Sequence, residues 1–368
     1  MDLIEVPDMQ AVTCKILEDA IFLTEGGDRA RRRIFFLETS RIRTVGARTA
    51  CAVESASRLH PHWSVHYLHA SARFLSPFCP FVRLLRTFRN VRFAYLDYKS
   101  HFKDTVLDLW LREGAYKRSP YETVHLSDGL RLGLLFKYGG VYVDFDVIFL
   151  RSLEGIDDAV VACSADDTVT NNFFAFSARH SFIRECLEDF AWGPVVYDRE
   201  LLSVAADNTC VRGCLACRRH IAAPRALVQR TLRAAGRRRH ISRLGYTLVE
   251  VTLSVHTQLV PAVVRRVLLR WCNATRVEQA LDNRRRCRGV TLLPRDRLLP
   301  LNHTTAKLLF DAEAGLNVSE SFGQSYLVHT FHSRTRDIQA EQGSFVERAA
   351  AENCPRTFDL ANRLHGHF

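Results

Sequence analysis

Two aspartates stand in the run VYVDFDVIFL (141–150), where a buried strand would carry none. In an extended segment, side chains at i and i+2 point to one face, so Asp144 and Asp146 project together and Phe145 turns away. Unneutralised carboxylates at that spacing repel, and each resists burial. A divalent cation held between them removes both costs. The plainer explanation of an Asp-x-Asp taken alone is a strand end open to solvent. Just upstream, Asp128 and Arg131 stand at i and i+3 and share a helix face, where a surface ion pair is the simple outcome. A third group, Cys210, Cys214 and Cys217 with His220 nearby, could hold an iron–sulfur cluster or zinc. In an oxidising compartment the same thiols would form disulfides.

The elements that must position these groups alternate. RRRIFFLETS (31–40) reads as a buried strand from Ile34 to Leu37 that runs into a polar loop. A helix over about 48–59 ends at His60-Pro61, and strands follow around Val65–Leu68 and across 90–98. SDGLRLGLLFKYGG (127–140) predicts a helix capped by Ser127 or Asp128 and stopped at Gly139, and VYVDFDVIFL then predicts one continuous strand. Strands alternating with helices imply an α/β fold with a mostly parallel sheet. Ligands in such sheets bind beyond the carboxyl ends of the strands, which is where the aspartate pair falls. Residues 192–270 break the rhythm: the stretch is arginine-rich with poor periodicity. Helix and loop resume after it.

The formal charge of +11 comes largely from arginine, clustered at 29–33, 236–240 and 284–288. Such a surplus favours anionic partners, nucleotide phosphates or an acidic membrane surface among them. The aromatic-interleaved basic pattern of single-strand binders is missing, which argues against nucleic acid. No span of 18 or more apolar residues occurs, and the N-terminal segment 1–30 reads as neither a signal peptide nor an anchor. Eleven cysteines and three sequons, at Asn273, Asn302 and Asn317, point to the lumen of the secretory pathway.

The run LSDGLRLGLLFKYGGVYVDFDVIFLRSL (126–153) closely resembles the donor-binding segment of the α1,4-glycosyltransferases. The likeness extends through IFFLETS (34–40), CAVESASRLHP (51–61), FKDTVLDLW (102–110) and NNFFAFSARHSFIRECLEDF (171–190). It returns at 270–294, at YLVHTFHS (326–333) and at ENCP (352–355). The resemblance implies a GT-A-like nucleotide-sugar-binding fold with a smaller C-terminal helical region. The donor domain would span 31–191, the C-terminal region 271–368, and 192–270 would be an insertion. It further implies a retaining enzyme that moves galactose, or an N-acetylhexosamine, from a UDP-sugar to a terminal galactose in α1,4 linkage. A glycosphingolipid acceptor, a membrane-associated place in the Golgi lumen and a Mn²⁺ cofactor go with it. Asp146 would be a direct metal ligand, Asp144 a ligand through water or a ribose contact, and His329 a further ligand. Otherwise His329 is a satisfied core residue. Glu38, Thr39 and Ser40 would approach the nucleoside, and Asp128, Arg131, Asn171 and Asn172 the donor sugar and phosphates. Cys272 and Cys287 would form a disulfide.

The sequence departs from the family at two points that face the acceptor. The short acceptor loop is replaced by 192–270, and HTFH (329–332) stands where the family has HVWN, so Phe331 and His332 replace Trp and Asn. A glycosyltransferase fold disabled by the insertion is therefore the alternative function, and a cysteine-cluster metal protein a more distant one. Deleting 195–255 is expected to leave the donor domain folded. Asparagine at 146 is expected to hold or raise metal-free stability by relieving carboxylate repulsion.

Overall fold

The computed structural model describes residues 32–70, 75–103, 105–118, 121–163, 167–192, 260–282 and 286–368. The N-terminal segment, the cysteine cluster at 210–217 and the deletion 195–255 lie outside the described residues.

The chain opens with β1 (Arg33–Glu38), α1 (Ala47–Leu59), β2 (Ser64–His69), α2 (Pro80–Leu85) and β3 (Val91–Tyr95). Two short helices, α3 (Tyr98–His101) and α4 (Asp108–Arg112), lead into α5 (Glu122–Tyr138) and β4 (Gly140–Val143). Then come β5 (Val147–Phe149), β6 (Ala159–Cys163), β7 (Thr168–Phe176), α6 (Ser181–Trp192), α7 (Val260–Cys272) and α8 (Val277–Asp282). The remainder is β8 (Arg286–Cys287), β9 (Val290–Pro294), α9 (Ala312–Ser321), β10 (Leu327–His329), α10 (His332–Thr335), α11 (Phe345–Asn353) and α12 (Pro355–His365).

Eight strands form one sheet in the order β3-β2-β1-β4-β7-β6-β9-β8. The block β3-β2-β1-β4 is parallel throughout, whereas β7 pairs antiparallel with both β4 and β6. In β1 the consecutive residues Ile34, Phe35, Phe36 and Leu37 are all buried, because this central strand has packed layers on both faces. Ile34 and Phe36 enter one core with α1, whose Ala50, Ala52 and Ala56 let the helix lie close to the sheet. Phe35 and Leu37 enter the other core, with α5, α6 and α7. The helix α7 lies at the end of the 192–270 segment, and it packs Val260, Val263, Val264, Val267 and Leu268 into that second core.

After β1 the chain builds β2 and β3 on one side of it, then crosses back to place β4 on the other. Between the carboxyl ends of β1 and β4 lies the topological switch point, where open α/β sheets bind ligands. Gly139 makes the return possible: with φ +64° it ends α5, and a Cβ there would meet the Ala178 amide nitrogen at 2.5 Å.

Two local expectations are corrected. First, α5 begins at Glu122, so Ser127 and Asp128 lie inside it and do not cap it. Asp128 is fully buried and is tied up by Arg131 within the helix. Second, 141–150 is not one strand. β4 stops at Val143 and β5 pairs antiparallel with β10 in a separate two-stranded sheet. The segment Asp144–Asp146 is the bend between the two sheets, so the aspartates share no strand face.

The C-terminal helices are tied to α1 at two adjoining points. Cys51 and Cys354 form a disulfide across 303 residues of sequence. One turn along α1, the fully buried Glu54 accepts hydrogen bonds from the Arg356 amide, the Thr357 amide (2.7 Å) and the Thr357 hydroxyl. These amides open α12, so a carboxylate from another helix satisfies its N-terminal donors and meets the positive end of its dipole. Glu54→Gln places an amide NH₂ against those donors. It is expected to cost about 2–3 kcal/mol in urea unfolding, whereas exposed Glu352→Gln should change little.

Candidate functional site

Two connections meet at the switch point: the bend between β4 and β5, and the turn after β10. The Asp144 amide donates to the Asn172 carbonyl, continuing the β4–β7 ladder one residue past the strand. The Asp146 carbonyl accepts from the Thr330 amide, continuing the β5–β10 ladder. Each aspartate is therefore held by its own backbone at the edge of a different sheet. Phe331 sits in the left-handed region (φ 52°, ψ 58°), an uncommon conformation for a bulky residue. That turn aims the His332 amide at Asp146 Oδ2 (2.9 Å) and the Phe331 amide at His329 Nδ1 (3.1 Å).

His329 lies with Nε2 3.1 Å from Asp146 Oδ1. Asp144, Asp146 and His329 each offer a ligand atom, and these atoms all lie within 4.8 Å of one another. Two carboxylates and an imidazole are a hard, mixed oxygen–nitrogen donor set that suits Mn²⁺ or a similar divalent ion. Burial alone would raise Asp146, but the His329 ring and the hydrogen bonds from His329 and the His332 amide outweigh it and hold its pKa at about 2. Burial pushes Asp144 the other way, upward, with Arg131 partly opposing the shift. Burial depresses His329, yet the Asp146 charge and hydrogen bond more than compensate, so its pKa is raised. Protonating that ring, or placing a metal on Nε2, puts a proton on Nδ1 and opens the Phe331 amide contact.

Behind the aspartates runs a buried polar chain. Tyr142 donates to Asp144 Oδ1 (2.7 Å), and its ring lies 4.6 Å from the Arg131 guanidinium. Arg131 pairs with Asp128 Oδ1 at 3.1 Å, approaches Asp144 at 3.6 Å and donates to the Asn171 carbonyl. Asp128 also accepts from the Asn171 side-chain amide and from the Val260 backbone amide. Asp128 and Arg131 are 0% and 5% exposed, so they are an interior pair and no surface salt bridge. Burial raises Asp128, and the guanidinium of Arg131 opposes that rise. The pair acts on the site through Tyr142 and Asp144.

A cavity of about 260 Å³ opens at this point, lined by Leu37, Arg48, Thr49, Ser127, Tyr142, Asp144, Phe145, Asp146 and His332. At the end of β1 it is Leu37 that lines the cavity. Glu38 bonds the amide and hydroxyl of Ser40, and Thr39 donates to the Thr123 carbonyl. Asn171 and Asn172 stand behind the wall. Asn172 is buried, and its Oδ1 has no hydrogen-bond partner among the described residues. The sequence marks none of Tyr142, Arg48 and Thr49 as a site residue, and Ser127 only as a helix cap. Only the placement of Ser127 one residue before Asp128 offered a signal.

Cys272 and Cys287 are joined in a disulfide with Cα atoms 5.5 Å apart, which fastens the end of α7 to the β8–β9 hairpin. Asn273 is exposed with φ 52°, and Asn302 accepts from the Thr304 and Thr305 amides in a turn. Asn317 falls inside α9, away from the loop setting a sequon acceptor usually has.

The fold and the aspartate motif correspond to matches with known proteins. Residues 46–164 match the family described as glycosyltransferase sugar-binding region containing DXD motif. Residues 254–361 match the family described as alpha 1,4-glycosyltransferase conserved region. Lactosylceramide 4-alpha-galactosyltransferase of Mus musculus is 27% identical over 334 residues, covering 88% of this chain and 74% of that protein. Alpha-1,4-N-acetylglucosaminyltransferase of Homo sapiens is 24% identical over 337 residues, covering 89% and 80%. Among solved structures, the glycosyltransferase domain of the YGT toxin aligns over 90% of both chains at 10% identity. Its TM-score of 0.35 is too low to add to the topology. The α/β sheet with its DXD bend at the switch point fits the DXD-containing sugar-binding region that residues 46–164 match. In both matched regions the chain is similar to the α1,4-glycosyltransferases.

Proposed function

We propose that the chain is a retaining, UDP-sugar-dependent α1,4-glycosyltransferase. It transfers galactose, or an N-acetylhexosamine, to the terminal galactose of a glycolipid. The observation that carries this reading is the convergence of Asp144, Asp146 and His329 beside the cavity at the switch point. Asp146 and His329 would hold Mn²⁺ directly, with Asp144 completing the set from the opposite sheet edge. When bound, the ion neutralises charge on the departing diphosphate. Tyr142 orients Asp144 by its hydrogen bond, and Arg131 holds Tyr142 and Asp144 in register. The bond from the anomeric carbon to the diphosphate oxygen breaks and the acceptor oxygen bonds to the same face. The acceptor's proton passes to the leaving phosphate, and UDP departs. The carboxylates of Asp144 and Asp146 stand together on one side of the site, so the flanking pair of a glycosidase is the wrong template.

The inactive-fold alternative is not favoured, because Asp144, Asp146 and His329 converge and the hydrogen-bonded chain behind them is intact. The Golgi lumen fits the two disulfides, and Asn273 and Asn302 are the better-placed glycosylation acceptors. No helix among the described residues is long and apolar enough to cross a membrane. We assign 31–191 to donor binding and 271–368 to the C-terminal region, with an insertion within 192–270.

Because the metal needs a neutral imidazole and Asp146 raises the pKa of His329, Mn²⁺ competes with a proton there. Mn²⁺ affinity is expected to fall as pH drops below that raised pKa, toward about tenfold per pH unit. Calorimetry in buffers of differing ionisation enthalpy checks this through the released proton. The function itself is tested by incubation with UDP-galactose or UDP-N-acetylhexosamines, Mn²⁺ and a lactosyl glycolipid, with the product linkage read by NMR. An α1,4-linked product is expected. UDP release without a new glycoside, or a β-linkage, would refute the assignment.

A further inference from the structure

Counting charge around the cavity leaves the donor short of cations. Arg131 is committed to Asp128, and a divalent ion cancels Asp144 and Asp146. The diphosphate of a nucleotide-sugar then brings about two further negative charges, and departure of the sugar adds to them. Apart from the metal-binding trio, the cavity lining contains two basic side chains, Arg48 and His332.

Arg48 stands in the first turn of α1, which has no acidic residue there and no side-chain cap. Its Nη1 donates to the Thr335 carbonyl at 2.8 Å and to the Thr335 hydroxyl at 3.3 Å, and its Nη2 donates to the Ile338 carbonyl. The guanidinium rests 4.5 Å from the Phe310 ring centroid. All of these partners are neutral. No carboxylate pairs with Arg48 among the described residues, although it is half-buried. The bonds leave the Nε–H and one Nη2–H unused. A partly desolvated cation lacking a counter-ion is costly unless an anion arrives. The bonds also fix the turn that carries His332, whose backbone amide is spent on Asp146 while its ring lines the cavity with no hydrogen bond among the described residues.

Resting on the donor reading above, we propose that Arg48 and His332 form the metal-independent half of a diphosphate-binding site. Arg48 supplies the positive charge on the wall opposite the metal, and the His332 ring supplies a donor to a phosphate oxygen. The pair sets preference for a nucleoside diphosphate over a nucleoside.

Calorimetric titration of UDP, uridine and inorganic pyrophosphate in Mn²⁺, on the full chain, tests the proposal. Arg48→Met is expected to weaken UDP and pyrophosphate by about ten- to hundredfold, the loss of a charge-assisted hydrogen bond. His332→Asn is expected to weaken them by about three- to tenfold, and uridine should change less than about twofold in both. Unchanged UDP affinity in both variants would overturn the proposal. So would a parallel fall in UDP, uridine and thermal stability, which would make Arg48 a structural clamp for the β10–α10 turn. Should Arg48→Met fail to fold, His332→Asn decides alone, since that ring holds no hydrogen bond among the described residues. A wild-type chain that binds neither UDP nor uridine would instead bring down the donor reading, and this proposal with it.

Discussion

Asp146→Asn is expected to lower transfer by about a thousandfold or more, about 4 kcal/mol of transition-state stabilisation. The substitution keeps shape and removes the charge that holds the turn after β10 through His329 and the His332 amide. Its effect on the metal-free fold differs from what carboxylate repulsion alone suggests. Asp146 is stabilised as an anion, with a folded pKa of about 2 against an ordinary value of 3.8. A depressed carboxylate contributes stability above its unfolded pKa and loses it as pH falls through the folded value. The expectation that asparagine would hold or raise stability is therefore corrected. At pH 7 the variant should lose about 1–2 kcal/mol, and the difference from wild type should shrink between about pH 4 and pH 2. Urea unfolding across that range in EDTA, with Asp157→Asn as an exposed control, measures it.

The second large effect concerns the fold behind the site. Arg131→Met removes the guanidinium that serves Asp128, Asp144, the Asn171 carbonyl and the Tyr142 ring together. Asp128, fully buried, is left with two amide donors and no counter-charge. Breaking a buried pair from one side costs about 3–5 kcal/mol, and here Asp144 and Tyr142 lose their orientation as well. We expect a marked fall in the unfolding midpoint and no measurable transfer. Arg131→Met with Asp128→Asn should recover part of the stability and none of the activity, which separates the charge-burial cost from the positioning role.

Much of the donor side was legible because charge in an apolar run is conspicuous. Asp144 and Asp146 announce themselves in VYVDFDVIFL, and strand–helix alternation gave the α/β architecture. The break between β4 and β5 was not legible. The run is apolar on both sides of the motif, and the partner of β5 is a three-residue strand far along the chain. His329 could be named only by resemblance, since nothing local distinguishes a ligand from a core histidine. Tyr142 hid among the apolar residues of β4, where a buried phenol looks like packing until its hydroxyl partner is seen. Arg48 was one of 51 basic residues, and its lack of a carboxylate partner among the described residues is a fact of tertiary structure alone. Glu54 likewise reads as an ordinary helix glutamate, while the structure spends it on the first turn of α12. The Cys51–Cys354 bridge joined two segments already noted for their resemblance, and their pairing needed the packing of α12 on α1.

The central claim is that Asp144, Asp146 and His329 hold a metal through which the chain grips a nucleoside diphosphate. Its most direct test is titration of UDP into wild-type protein and Asp146→Asn, each in Mn²⁺ and in EDTA. The account predicts that Mn²⁺ strengthens UDP binding to the wild type by at least about tenfold. The variant should bind UDP in Mn²⁺ no better than the wild type does in EDTA. Equal manganese dependence in the two proteins would contradict it, leaving the aspartates as an unligated bend between two sheets.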